Sequence, residues 1–414
     1  MAARAALRRR RRARADAGQL LAALAGLGLG VTLPRISGGP MTPAGPVTEI
    51  VLSLGIGLLG AIALIFSLLF LVVQWAATTF TPRLTLFRDA PIVWRTFALT
   101  IGLVVFSVTA ALSVGDRTEV SVAVPATELL LLLLLLLLLR TLQLRAFAAI
   151  QLAAVVSSVA GRGRDLLGLL TPGPIAPARA RSGATAGATT GPGAEEDLST
   201  APPRSTVVWP GPPAVLQQVD IDRLLRAATV AGAVVVLRFA PGRTLRRGAA
   251  TADVHGGDLP AGAVLDCLVT GTERTFEQDP TLSLRLLADI ALRSLSSAIN
   301  DPATAVQALD QLEDLLTGPA ATAAAVVRVH DDSRTVRVII RLPAWEEILR
   351  STVDDLVVAS FTSPLVLSRM RELLRHLLAL ACAEHRASIA RRLAWLDEED
   401  AARYPRLRAE DPEP

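Results

Sequence analysis

Lysine is absent from this chain. Its 42 Lys and Arg positions are all arginine, against 38 Asp and Glu, so a pI near 10.1 rests on a net charge of only +4. The arginines gather at the edges of apolar runs, and aromatic residues make up only 4% of the chain, which leaves few platforms for stacking bases. Both features argue against a nucleic-acid partner. Cysteine is nearly absent too: Cys267 and Cys382 lie far apart without a CxxC spacing, which excludes a disulfide framework and leaves buried thiols as the expectation. Histidine is scarce, and His255, His330, His376 and His385 form no HExxH; Cys382 and His385 share a helix face but lack a third ligand, so no metal and no other cofactor is expected. No GxSxG elbow, P-loop or kinase signature occurs, and Ser294, Ser296 and Ser297 have no histidine base at a local spacing. No catalytic residue is assigned, and the chain does not read as an enzyme. Charged residues reach only 19%, too few for an ordinary soluble protein of 414 residues.

Apolar sequence fills the space. Hydrophobic residues make up 51% and the mean hydropathy is +0.45. Ile50 to Val73 carries no charge and at ~1.5 Å per residue covers the ~30 Å hydrocarbon core, as does Phe97 to Val114 with a little tilt. Leu20 to Leu33 is a shorter, glycine-rich span, and the leucine run Leu129 to Leu139 must borrow flanking residues from Val120 or Leu142 to cross. Four transmembrane helices are therefore expected, with membrane lipid as a partner. Neither Ile50 to Val73 nor Phe97 to Val114 has an ionisable residue at its centre, and Glu128 is assigned to an outer loop; this argues against a proton relay or charge-coupled carrier. Gly55 to Gly60 matches GxGxxG, but no strand precedes it and lipid surrounds it, so it reads as helix packing. Small residues recur every four positions at Ser53, Gly57 and Ala61 and at Ala22, Gly26 and Gly30, stripes that favour close helix approach and self-association into a homo-oligomer.

Arginine placement sets the expected orientation. Arg8 to Arg12 precede the first span, Arg83, Arg88 and Arg95 lie between the second and third, and Arg140 and Arg145 follow the fourth. This places both termini in the cytoplasm of a bacterial inner (plasma) membrane. The expected domains are a basic cytosolic N-terminus (1–16), a transmembrane region with an amphipathic stalk (17–170), a disordered linker (171–213), a cytosolic α+β domain (214–396) and a charged tail (397–414). The linker is Ala-, Gly-, Thr-, Pro- and Ser-rich, too poor in large apolar residues to pack, and is expected to decouple the cytosolic domain from the membrane. Within the cytosolic part, strands are expected near Val207, at Val215 to Val219 and at Ala233 to Phe239. A helix capped by Asp220, a hairpin from Val326 to Leu342 turning at Asp331-Asp332-Ser333, and helices from Trp345 to Val358 and from Pro364 to Trp395 complete the reading.

Asp279-Pro280 and Asp301-Pro302 are one device used twice: a carboxylate to accept first-turn N–H groups, then a proline where no N–H is needed. The first opens a helix over Thr281 to Ser294, with Leu282, Leu286, Ala288, Ile290 and Leu295 toward a core. Arg285, Asp289 and Arg293 form a ladder on the other face, read either as a solvated face or as part of a site. In the second reading Arg274, Gln278, Asp289, Arg293, Asn300, Asp301 and Thr304 converge where two helix starts meet, a geometry suited to a small anionic ligand.

The segment RTFEQDPTLSLRLLADIALRSLSSAINDPATAVQALDQLEDLL, Arg274 to Leu316, resembles the hallmark of an uncharacterised family of bacterial predicted membrane proteins, domain of unknown function twenty-two fifty-four. NDPxTA at Asn300 to Ala305 carries most of the likeness, with FTPR at Phe80 to Arg83 similar to the motif after that family's second span. Ser297 stands where the family more often has proline and Thr81 where serine is usual; the linker looks peculiar to this chain. The resemblance implies an architecture of spans followed by a soluble domain, and no activity. The functional reading is a cytosolic binding or sensing module anchored by four spans, with an oligomeric channel or transporter regulated by that domain as the alternative.

Overall fold

A computed structural model describes residues 2–36, 39–79, 91–115, 117–150, 152–168, 188–191, 202–323 and 326–405. Phe80 to Arg83, much of the linker and the end of the tail lie outside them. The described chain divides into two compact units, Ala2–Ala154 and Val155 onward.

The first unit is helical: α1 (Ala2–Thr32), a 3₁₀ turn (Leu33–Arg35), α2 (Ala44–Thr79), α3 (Pro91–Val114) and α4 (Ala123–Ile150), with a two-stranded antiparallel ribbon of β1 (Met41–Pro43) and β2 (Glu119–Ser121). Four stretches are long and apolar enough to cross a membrane: Ala17–Arg35, Ala44–Leu68, Ile92–Val114 and Ala123–Arg145. The fourth extends the leucine run at both ends. α3 packs against the other three helices and buries Leu103, Phe106 and Ala110 completely. The first small-residue stripe works as expected: a Cβ at Gly26 would collide with the Gly102 carbonyl, and one at Gly30 with Thr109. On α2 the packing glycine is Gly55, whose added Cβ would stand 2.8 Å from Ser107 Cβ, whereas Gly57 meets nothing. Ser53, Gly57 and Ala61 instead line an open groove with Glu49.

The second unit is α+β. A six-stranded sheet runs in the order β3 (Ala188–Gly191), β10 (Val326–His330), β11 (Val336–Arg341), β6 (Ala233–Leu237), β8 (Ala250–Gly256), β4 (Ser205–Val208); β11 and β6 pair in parallel and the other neighbours are antiparallel. A smaller sheet joins β7 (Thr244–Leu245), β5 (Ala214–Val219) and β9 (Leu268–Gly271). α6 (Ile221–Ala231) begins at Asp220, whose carboxylate accepts the Arg223 N–H at 3.1 Å, and stops at Gly232 with φ +61°. The hairpin turns where anticipated, with Asp331 accepting the N–H groups of Ser333 and Thr335 at 3.0 Å each. Leu216, Leu224, Val235, Leu237 and Val254 form the core between strands and α6.

The remaining elements are helical: α5 (Leu152–Leu167), the short α7 (Ala261–Leu265), α8 (Leu282–Ser294), α9 (Pro302–Ala321), α10 (Trp345–Thr352), α11 (Asp354–Ser360), α12 (Pro364–Leu380) and α13 (Ala383–Arg403). Trp345 to Val358 is thus two helices meeting at Val353, and Pro364 to Trp395 is two meeting at Ala381-Cys382. α8 is buried nearly all round, Ser283, Leu284, Leu287 and Ala291 included.

Three expected boundaries shift. The stalk α5 belongs to the α+β unit from Val155 onward: Val156, Val159 and Ala160 are buried, and Gly163 sits where an added Cβ would stand 2.7 Å from Leu315 and 2.9 Å from Ser283. An apolar helix face satisfied by protein looks the same in sequence as one satisfied by lipid. Segment 171–213 holds strands: β3 pairs Ala188 to Gly191 against β10, and β4 pairs with β8, since ladder hydrogen bonds need no large side chains. The segment follows α5 within the α+β unit rather than standing between that unit and α4. Last, α13 runs past Asp397 because Arg371 binds Asp397 at 2.7 Å and also Asp400.

Candidate functional site

α8 and what precedes and follows it hold all but one of the proposed site residues, with Thr304 in the first turn of α9. At the head of α8, Asp279 is fully buried. Arg274 forks onto it, Nε to Oδ2 at 2.6 Å and Nη2 to Oδ1 at 2.7 Å, and Nη2 also reaches Thr281 Oγ1 at 2.7 Å. The Thr281 N–H and hydroxyl both donate to Asp279 Oδ1 at 3.1 Å. Gly242 lies against this carboxylate: its φ is +100°, and an added Cβ would approach Asp279 Cγ to 2.6 Å. Gln278 turns away to β5, where it accepts the Val219 N–H at 2.7 Å and donates to the Val219 carbonyl at 3.1 Å, completing a strand end as a backbone neighbour would. Asp279 therefore does not cap α8 as the sequence reading had it. The helix starts at Leu282, Thr281 occupies the capping position without a side-chain bond to the first-turn N–H groups, and the carboxylate is turned inward to Arg274.

At the other end the expectation holds. Asp301 is the N-cap of α9, accepting the Thr304 N–H at 3.1 Å and the Thr304 hydroxyl, with Pro302 in the first turn. Asn300 takes φ +48°, and the Asp301 N–H returns to the Ser294 carbonyl at 2.7 Å, which closes the corner between α8 and α9. Midway along α8, Arg285 binds Asp289 at 2.9 Å, the Ser351 carbonyl at 2.8 Å and Asp355 at 3.5 Å. Arg285 and Asp289 thus belong to a clamp between α8 and the α10–α11 pair rather than to a solvated face.

The seven residues do not form one cluster. Arg274 and Gln278 lie before α8 and Asn300, Asp301 and Thr304 beyond it, separated by thirteen helical residues, or roughly 20 Å. Asp289 and Arg293 lie between, on the second half of the helix.

Sequence reasoning missed a small cavity near the head of α8. Pro280, Thr281, Pro319, Trp345, Ile348 and His385, with Leu167 from α5, line a cavity of about 60 Å³. His385 stacks on Trp345 with ring centroids 4.9 Å apart and bonds the Ala320 carbonyl through Nδ1 at 3.0 Å, while Trp345 Nε1 donates to Ser388 at 3.1 Å. Among the described residues no group of three or more His, Cys, Asp or Glu is placed to hold a metal. Cys267 is fully buried, and burial pushes its thiol up, away from the reactive thiolate.

The family described as Predicted membrane protein (DUF2254) matches residues 19–376, the four apolar helices and the α+β unit as far as α12. This chain belongs to that family. Similar stretches occur in curated mycobacterial proteins: Uncharacterized protein Mb1321c of Mycobacterium bovis and Uncharacterized protein Rv1290c of Mycobacterium tuberculosis are each 28% identical over 270 residues, covering 61% of this chain and 48% of theirs. The chain thus spans about half the length of the curated relatives it matches. No solved structure matches it.

Proposed function

We propose that this DUF2254 protein is an integral protein of a bacterial plasma membrane whose α+β unit is a cytosolic binding or sensing module, that both termini are cytoplasmic, and that it self-associates. One observation carries this reading. α5 follows α4 after a single residue and is built into the α+β unit at Gly163, with Arg164 binding Asp314 at 2.6 Å and Gln311 at 3.0 Å on α9. Leu167 at the end of α5 is also a wall of the cavity at Thr281 and His385. A ligand in that cavity would touch the helix that follows α4 in the chain, which gives occupancy a covalent route to the membrane-side chain.

The small anion anticipated for Arg274 and Asp301 loses its geometry, since these lie at opposite ends of α8 and Arg274 is already forked onto Asp279. The cavity is apolar with one imidazole, and at about 60 Å³ it is far below the ~300 Å³ of a typical metabolite pocket. It suits a small apolar moiety with one polar group. Thermal denaturation of the full-length protein in lipid nanodiscs, screened against short-chain acids and lipid fragments, tests this; a true ligand at a hundredfold excess over Kd stabilises by ~2.7 kcal/mol. The idea sinks if no compound shifts the wild type, or if His385→Ala responds equally. A reporter fused after Arg117 that behaves as cytoplasmic would sink the orientation.

The alternative, an oligomeric channel or transporter regulated by the α+β unit, gains from one finding. Glu128, assigned from sequence to an outer loop, lies within α4 and is buried.

A further inference from the structure

Glu128 is 2% exposed, in the first turns of α4, inside a helical unit whose other buried side chains are nearly all apolar or hydroxyl-bearing. Ser107 of α3 stands opposite. Its Oγ is 2.8 Å from Glu128 Oε1 and also 2.8 Å from the Leu103 carbonyl one turn back. Glu128 Oε2 is buried with no hydrogen-bond partner. Gly55 of α2 closes over the pair, because any larger residue there would press on Ser107. The ionisable groups on elements packed against α4 are Glu49 on α2, Arg95 on α3 and Arg35 in the 3₁₀ turn, with Arg140 and Arg145 on α4 itself. Neither oxygen of Glu128 bonds to any of them.

A serine hydroxyl has one proton, and here it faces two acceptors at equal distance. If Glu128 is a carboxylate, Ser107 must give it that proton, and Oε2 then shares a charge out of reach of water with no donor at all. If Glu128 carries a proton, Oε1–H donates to Ser107 Oγ, Ser107 O–H donates to the Leu103 carbonyl, and every proton has an acceptor. The second arrangement removes the uncompensated buried charge, the costlier of the two defects. We propose that Glu128 is a proton-binding site, a carboxylic acid held in the apolar helical unit by the Ser107 hydroxyl beneath Gly55. Exchange of this proton requires water to reach the buried carboxyl group, so the site reports separation of α2 from α3 and α4. It is independent of any ligand in the α+β unit.

The test is chemical and needs no known activity. Dicyclohexylcarbodiimide partitions into apolar regions and reacts with protonated carboxyls: one nitrogen takes the acid proton, the carboxylate oxygen adds to the central carbon, and an acyl shift from oxygen to nitrogen leaves a stable acylurea. Full-length wild-type protein in nanodiscs at neutral pH is treated with this reagent or with a water-soluble carbodiimide, then mapped by mass spectrometry. Glu128 is expected to favour the apolar reagent by about tenfold or more, with the exposed Glu49 and Glu119 favouring the soluble one. A Glu128 that stays unmodified, or that follows the pattern of Glu49, overturns the proposal. As a second measurement, Glu128→Gln keeps a donor for Ser107 and should melt with wild type at neutral pH; a large loss of thermal stability in that variant shows that the charge is needed and also overturns it.

Discussion

Asp279 has no exposure to solvent, and its two oxygens receive a guanidinium fork, a backbone N–H and a hydroxyl; Asp301 is partly exposed and receives one N–H and one hydroxyl from its own helix. Both stand before a proline at the head of a helix. The dipeptide is the same, but Asp279 is bound by a residue five positions earlier and walled by Gly242, whereas Asp301 looks only to the turn that follows it. A helix-start motif therefore states that a carboxylate faces a helix beginning. What that carboxylate does depends on whether a cation is brought beside it.

The largest effect should come from breaking the buried corner. Asp279→Ala leaves Arg274, 27% exposed, without its fork and leaves Thr281 without an acceptor. Removing one member of a buried pair costs ~3–5 kcal/mol, and the partial exposure of Arg274 puts the expectation near the lower end. Urea unfolding of the full-length protein, followed by α+β tryptophan fluorescence, measures it; a loss under about 1 kcal/mol would make Asp279 an ordinary helix start like Asp301.

Gly242→Ala attacks the same corner from the wall. The substitution meets both a φ of +100° and the Asp279 carboxylate, 2.6 Å to Cγ. Strain of this kind costs ~1–3 kcal/mol, so a loss of about 2 kcal/mol is expected. The effect should shrink when Asp279→Ala is already present, because the clashing atoms are gone. Simple additivity in the double variant would show that Gly242 acts through its backbone angle alone.

A third carboxylate site calibrates the two corners. Arg392, 9% exposed, binds Glu346 at 3.0 Å and also Asp354, tying α13 to α10 and α11. The Arg392 hydrogen bond holds Glu346 below the usual glutamate range, outweighing the opposite push of burial. A carboxyl whose folded value is depressed contributes stability that is complete above its unfolded value, near 4.5, and is lost as pH falls through the folded one. The melting temperature should therefore fall below about pH 4.5, more steeply in wild type than in Arg392→Gln. Glu346 is 42% exposed, so solvent screening limits the pair to about 1 kcal/mol. Equal acid slopes in the two proteins would remove this network from the account.

These corners also show how much the sequence disclosed. The caps at Asp220 and Asp301, the turn at Asp331 and the extent of α8 were legible because each is decided within a few residues. β8 was not, since ATADVHG lacks the branched and aromatic run that marks a strand, and its pairing with β6 and β4 supplies what propensity does not. The Arg274 fork was invisible because a cation five residues before an aspartate has many destinations. Glu128 was misplaced because the unbroken leucines begin at Leu129, so the helix was started after it rather than at Ala123. The docking of α5 escaped for a general reason: periodicity shows that a face is apolar, not what covers it.

The smallest expected effect sharpens the comparison most. Asp301→Ala removes an acceptor from the Thr304 N–H and hydroxyl at the start of α9, a loss of about 1 kcal/mol for an N-cap. Asp301→Asn keeps a carboxamide oxygen in the same place and should cost only a few tenths. The same pair of substitutions at Asp279 should behave differently: asparagine there keeps one acceptor oxygen but removes the charge and the second acceptor that Arg274 grips, so it should cost nearly as much as alanine. The ratio of the asparagine to the alanine effect, read from urea midpoints at constant m, is then small at Asp301 and close to one at Asp279. Equal ratios at the two positions would mean that both aspartates are caps and that the Arg274 fork adds nothing.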